Sequence, residues 1–268
     1  MTKPVIEEML REVYANTEGN ILTGDMTDTE QLIGLRMYDE PIAGIAVADD
    51  ELFEIYKQPG IVGPQMLSPA EWLPGAQSVI SFFLPFSDDV KKANANESTY
   101  AALEWVYARI EGQAYLTKCA QGLAQKLREK GCEVCIPSVD PRFAVDMSFF
   151  SSNWSERHAA FAAGLGTFGK SRGLITEKGM AGRFGSLIIS EKIDADHRPY
   201  SDVYEYCINC GACARRCPAG AIPEEGIKIQ TICAPFVDHS KTVFAPRYGC
   251  GLCQTGVPCE SGIPARYT

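Results

Sequence analysis

The feature that most limits what this chain can fold into lies near its C-terminal end. It is the run Cys207-x2-Cys210-x2-Cys213-x3-Cys217, followed at once by Pro218. Three thiolates two residues apart wrap one face of a cubane, and a fourth cysteine before a proline points away from it, which is the spacing of a bacterial-type iron–sulfur ligand run. Cys233, Cys250, Cys253 and Cys259 bring the cysteines of this region to eight of the chain's eleven. Eight ligands are two sets of four, and they predict two 4Fe-4S clusters. In two-cluster arrangements the last cysteine of one run serves the other cluster. That rule assigns Cys207, Cys210, Cys213 and Cys259 to one cluster, and Cys217, Cys233, Cys250 and Cys253 to the second. Tetra-cysteine zinc sites use paired C-x2-C knuckles and do not need a triple run closed by Cys-Pro. A disulfide framework is disfavoured, because the rest of the chain holds enough apolar sequence for a core and shows no secretory signal. The free thiols point to a reducing cytoplasm.

At 268 residues and 46% hydrophobic content, the chain can bury one sizeable core beside a small module organised by its cofactors. The expected division is a body over 1–198 and a cluster domain over 199–268. A formal charge of −9 argues against nucleic acid or an anionic membrane as a partner, since both call for clustered Lys and Arg. No apolar run approaches the roughly 18 residues that span a bilayer.

The first 200 or so residues alternate helical and strand-like patterns without repeats, which reads as one α/β body. Val5, Met9, Leu10 and Val13 recur at helical spacing. Pro41 to Ala48 and Ser78 to Leu84 read as buried strands, and Ser68-Pro69-Ala70-Glu71 as a helix start with an N-cap, a first-turn proline and an acid. A long helix or helix pair is expected from about Ser98 to Lys130, closed by Gly131 and interrupted at Gly112 or Gly122. Cys132 to Ile136 is the next strand, and a helix is expected over Trp154 to Ala163. The loop between them carries Asp140, Arg142 and Asp146, and long loops in compact domains are often functional.

Gly164-Leu165-Gly166-Thr167-Phe168-Gly169-Lys170-Ser171 contains G-x-G-x-x-G. A dinucleotide fingerprint follows a strand and opens a helix, whereas this segment follows a helix and leads into the expected strands Gly173 to Thr176 and Arg183 to Ser190. NAD is therefore set aside. A tight glycine turn remains, either purely structural or one that also brings Gly164, Gly166, Gly169 and Lys170 against a cofactor. Cys132-x2-Cys135 lies in an expected buried strand rather than at a helix N-terminus, so Cys119, Cys132 and Cys135 are read as inert buried thiols. His158 precedes the glycine turn and is read as an ordinary packed histidine that could also touch a cofactor.

The stretch Glu156-Arg157-His158-Ala159-Ala160-Phe161-Ala162-Ala163 with the glycine segment after it, Leu73-Pro74-Gly75-Ala76-Gln77-Ser78-Val79-Ile80 upstream, and the double cysteine module downstream resemble the epoxyqueuosine reductase family. Reductive dehalogenases share the plan. The resemblance implies an α+β, nitroreductase-like, cobalamin-binding α/β sandwich followed by a small two-cluster ferredoxin module. It implies that an external low-potential donor passes electrons through the clusters to a corrinoid, which acts on the substrate. Two departures stand out. Five residues lie between Cys253 and Cys259, and Glu260 follows, where the family pattern is C-x3-C-P. The family also places its proton-donating aspartate six residues before an acidic-Arg pair, while Asp146 lies ten residues before Glu156-Arg157. Asp146 is nevertheless the catalytic acid the resemblance offers, because two-electron reduction of an epoxide or multiple bond consumes protons. The sequence ends at Thr268 without the C-terminal repeats of long tRNA-modifying members, so a small-molecule substrate is expected in place of tRNA.

Three readings follow: a corrinoid-dependent iron–sulfur reductase, a ferredoxin-like electron-transfer protein without substrate chemistry of its own, and a reductase holding FMN, since a fold does not fix a cofactor. The nitroreductase-like resemblance also raises a homodimer.

Overall fold

The structure, a computed structural model, describes residues 1–148 and 150–265. In chain order its helices are α1 (Lys3–Asn16), α2 (Leu52–Ile55), α3 (Pro69–Trp72), α4 (Asp88–Ala95), α5 (Leu103–Glu129), α6 (Glu156–Ala162), α7 (Ala212–Arg215), α8 (Gln230–His239) and α9 (Lys241–Phe244). Its strands are β1 (Ile42–Val47), β2 (Ser78–Pro85), β3 (Val134–Cys135), β4 (Val145–Asp146), β5 (Ser151–Ser152), β6 (Gly166–Phe168), β7 (Leu174–Thr176) and β8 (Gly182–Ile189).

The centre is a four-stranded antiparallel sheet in the order β1-β2-β8-β3. All eight residues of β2 are buried, because helices cover both faces of the sheet. Side chains alternate along a strand, so Ile80, Phe82, Leu84, Leu187 and Ile189 join α1 and α5 in one core. Val79 and Ile188 join α6, Trp72 and Trp154 in the other. A strand buried on both faces reads as a continuous apolar run, which is how Ser78 to Leu84 appears in the sequence.

The elements expected from periodicity form, with shifted ends. The long helix begins at Leu103 rather than near Ser98, since Asn94 Oδ1 takes the Ala102 amide at 3.0 Å and holds the preceding chain in a loop. Gly112 does not break it. A Cβ there would lie 2.7 Å from Tyr38 Oη, so the glycine lets α5 approach the Tyr38 ring. The capping of α3 is as the sequence suggests, with Glu71 Oε2 accepting from the Ser68 amide at 2.7 Å. The loop over 137–153 contains the short hairpin β4–β5.

The cysteine-rich segment packs directly on this body. Asn94 reaches Thr255, Lys91 donates to Ser261 at 3.0 Å, and the Met180 amide donates to the Cys259 carbonyl at 3.0 Å. Among the described residues no helix is long and apolar enough to cross a membrane.

Candidate functional site: two cysteine nests beside a cavity

The eight cysteines sort into two hollows. Cys207, Cys210, Cys213 and Cys259 line a narrow one, sheathed by Ile175, Met180 and Val257. Cys217, Cys233, Cys250 and Cys253 line a second, of about 260 Å³, whose wall includes Arg109, Arg183 and Lys228. Burial, then the other thiols of its own set, pushes Cys259 up to about 12 and Cys250 up to about 12. Cys213 also feels Cys253, so the two nests abut. Four soft sulfur donors around each hollow are the donor set of an iron–sulfur cluster. Among the described residues no three His, Cys, Asp or Glu side chains gather around a single ion. Cys210 is exposed while the other seven are partly covered.

A larger cavity, about 590 Å³, lies between α5, the chain around α6, and β8. Gly182, Arg183 and Gln254 line both this cavity and the second nest. At the start of α6 the chain gives it a carboxyl and a guanidinium in succession. Both carboxylate oxygens of Glu156 are buried without a hydrogen-bond partner in good geometry. Burial pushes this carboxyl up to about 8, with Ser186 and Trp154 near enough to offset part of the rise. Ser186 Oγ is already engaged, accepting from Trp154 Nε1 at 2.9 Å. Arg157 is solvent-exposed and lines the cavity. Its Nη1 donates to the Arg172 carbonyl. Among the described residues neither Arg157 nor Arg183 has a carboxylate within ion-pair reach, so this wall is cationic and suited to an anionic group.

The other residues singled out in the sequence fall elsewhere. Asp146 is exposed on β4, its Oδ1 accepting the Ser148 amide at 2.8 Å, and it does not line the cavity, although Ser152 of the partner strand does. None of Gly164, Gly166, Gly169 and Lys170 lines the cavity either. Gly164 ends α6 with φ +77°, and a Cβ on Gly166 would fall 1.9 Å from the Ile175 carbonyl across the β6–β7 hairpin. Those two glycines serve the turn and the strand pair. Gly169 and Lys170 border the first cysteine nest, with Lys170 Nζ donating to the Glu224 carbonyl.

His158 is packed against Tyr56 and Phe168, its Nδ1 2.7 Å from Ser155 Oγ, and burial pulls it down to about 3. Asp140 and Arg142 pair with each other, and Arg142 also donates to the Trp72 carbonyl at 2.8 Å. Cys119 and Cys135 are buried and each pushed up to about 11. Glu156 and Arg183 are the cavity residues that the sequence reading passed over as a site. The adjacent Glu-Arg pair at a helix start was visible, but the burial of the Glu156 carboxylate oxygens was not.

Residues 200–222 match the family model for a 4Fe-4S binding domain. The chain is 27% identical over 205 residues to an epoxyqueuosine reductase of Staphylococcus aureus, an alignment that covers 71% of this chain and 50% of that protein. It thus spans about half the length of this curated relative. A crystal structure of epoxyqueuosine reductase with an epoxyqueuosine-modified tRNA-Tyr stem loop superposes with a TM-score of 0.56 at 19% identity, covering 98% of this chain and 67% of the other. A reductive dehalogenase structure, described in connection with B12-dependent dehalogenation, superposes with a TM-score of 0.53 at 14% identity, covering 98% of this chain and 37% of that one. In sequence the chain is similar to epoxyqueuosine reductases, its mixed α/β fold is similar to theirs and to that of a reductive dehalogenase, and residues 200–222 match a 4Fe-4S binding domain.

Proposed function

We propose that the chain is an iron–sulfur reductase. Electrons from an external low-potential donor enter at the first cysteine nest, cross to the second, and reach a substrate in the adjoining cavity. One observation carries this reading: Gly182, Arg183 and Gln254 form a wall common to the second nest and the cavity. Cys207, Cys210, Cys213 and Cys259 would hold one 4Fe-4S cluster, and Cys217, Cys233, Cys250 and Cys253 the other. In this reading 199–268 is the cluster domain and 1–198 a body of the nitroreductase-like, cobalamin-binding kind.

The cavity wall fits a corrinoid. Gln113, Thr117, Ser138, Ser152 and Gln254 offer hydrogen-bonding partners to a macrocycle rimmed with amides, and a relative in fold is described with B12 chemistry. Bound there, cobalamin would supply a metal centre that carries reducing electrons to the substrate. Arg157 would hold an anionic group of cofactor or substrate. Glu156, whose raised pKa keeps it protonated at neutral pH, would supply the proton. Asp146, on the hairpin that borders the cavity, is the alternative donor, and the two are separable by comparing Glu156→Gln with Asp146→Asn. The negative charge argues against nucleic acid, but a relative in fold is solved with a tRNA stem loop. An epoxyqueuosine-modified tRNA stem loop therefore stands beside small electrophiles as a substrate to assay.

The test is anaerobic. The clusters are reconstituted, cobalamin is added, free corrinoid is removed after reduction, and an electron paramagnetic resonance spectrum is recorded. A retained base-off cob(II)alamin signal beside the cluster signals is expected. Retention of FMN instead would replace the corrinoid in this reading. Two clusters with neither cofactor retained would overturn the reductase in favour of an electron-transfer protein.

A further inference from the structure

The two cysteine nests have different electrostatic surroundings. The first is sheathed by Ile175, Met180 and Val257; among the described residues Lys170 in its wall is tied to the Glu224 carbonyl, and Arg215, which donates to the Cys210 carbonyl at 3.1 Å, is exposed to solvent. The second has Arg109, Arg183 and Lys228 in its wall, and among the described residues none of the three has a carboxylate within 4.0 Å. Arg109 spends its charge on the face of the Tyr248 ring, 4.0 Å away, and on the Tyr248 carbonyl at 3.1 Å. Arg183 is half-buried, as Arg109 and Lys228 are, and it is the one of the three that also lines the cavity. Its Nη2 donates to the Arg109 carbonyl at 2.8 Å, and its guanidinium feels the Tyr38 phenol, then the like charge of Arg109, then the Tyr248 phenol. A half-buried guanidinium beside a second arginine and without a carboxylate suits an anion, and a 4Fe-4S cluster with four thiolates is one, whose negative charge grows by one on reduction.

Resting on the two-cluster reading above, we propose that Arg183 sets the direction of electron flow, by holding the second cluster at a higher reduction potential than the first. Cluster potentials follow net charge, hydrogen bonding and solvent exposure. A cation beside the second cluster stabilises its reduced form, and an apolar sheath around the first does the opposite. Exposure of Cys210 works against this order by solvating one edge of the first cluster. Arg215, on the Cys210 carbonyl, works in the same sense, but it is exposed and screened by water, whereas the three cations of the second nest are partly buried; the exposed edge also marks where a donor can reach. Each transfer moves one electron. The first cluster is oxidised, the second is reduced, the electron lost at the start comes from the external low-potential donor, and no proton moves. Because Arg183 also lines the cavity, the electron arrives next to the substrate side.

The experiment is a potentiometric titration of the reconstituted full-length chain with dithionite and viologen mediators, followed by electron paramagnetic resonance. Wild-type protein is expected to show two couples. Arg183→Gln should lower the higher couple and leave the lower one in place, while Arg183→Lys, which keeps the charge, should hold both near wild type. In a Cys210→Ala background the one remaining couple should be the one that Arg183→Gln moves. Iron analysis separates the two claims: less than two clusters' worth of iron in wild-type chain defeats the two-cluster reading. Two full clusters whose couples are both unmoved by Arg183→Gln, or of which the lower one moves, would overturn the role of Arg183 alone.

Discussion

Asn94 and Thr255, both fully buried, are joined by a hydrogen bond of 2.9 Å from Asn94 Nδ2 to Thr255 Oγ1, across 161 residues of chain. The same asparagine takes the Ala102 amide through Oδ1, and its backbone carbonyl accepts from Arg216 Nη2 at 3.2 Å. One residue at the end of α4 thus joins the entry to α5 and the loop after Cys253 through its side chain and the first cysteine run through its backbone carbonyl. Asn94→Ala leaves the buried Ala102 amide and the Thr255 hydroxyl without these partners, which costs about 1–3 kcal/mol per unsatisfied group. Denaturant unfolding of the cluster-loaded chain should show that loss, with cluster absorbance falling at lower denaturant than in wild type. Equal midpoints would mean that water replaces the amide at no cost.

Gly251 lies between Cys250 and Leu252 with φ +72°, and a Cβ there would fall 2.0 Å from the Trp105 ring. Gly251→Ala is strained in backbone and has no space, so the Cys250–Cys253 loop must lift from α5. We expect the variant to lose the second cluster and keep the first, with iron content falling by about half. Full iron content would show that the loop can re-seat without its contact with Trp105.

Cys210 is the exposed member of its set. Cys210→Ala should also lose about half of the iron if the two clusters assemble independently. A preparation with unchanged iron would remove Cys210 from the ligand set.

The raised pKa of Glu156 gives stability a pH dependence of known sign. In the unfolded chain this glutamate ionises in its ordinary range, whereas in the fold it stays protonated up to about 8. Between those two values the unfolded state binds fewer protons, so this group's contribution to stability declines as pH rises and levels off above about 8. Glu156→Gln removes that slope. Relative to wild type the variant should gain stability across this window, by about 1–3 kcal/mol, the usual scale for a buried polar group without a partner. Parallel pH profiles for the two proteins would mean that the carboxyl is not proton-linked to folding.

Burial holds Cys119 and Cys135 well above the ordinary thiol range, and reactivity follows the thiolate. Iodoacetamide at neutral pH should leave both unmodified in the native, cluster-loaded chain and label them after unfolding. Rapid native labelling of Cys135 would point to opening of the Asp140–Arg142 pair beside it.

What the sequence determined by itself was local. Ligand spacing and the Cys-Pro turn are read along a few residues, so the eight cysteines stood out as ligand candidates in the chain. The all-apolar run of β2 was visible for the same reason, as was the capping of α3. The tertiary structure decided what depends on distant neighbours. The glycine segment looks like a cofactor loop as a string, but packing of Gly166 on Ile175 and of Lys170 on the first nest assigns it to close contacts away from the cavity. Asp146 has the chemistry of an acid catalyst in the sequence, yet its hairpin leaves it in solvent, capped by a turn amide. Glu156 appeared in the sequence only within a family motif and Arg183 only as the start of a strand. Their character comes from desolvation and from the absence of a nearby carboxylate among the described residues, and those properties exist only once β8, α5, α6 and the cysteine loops have been brought together.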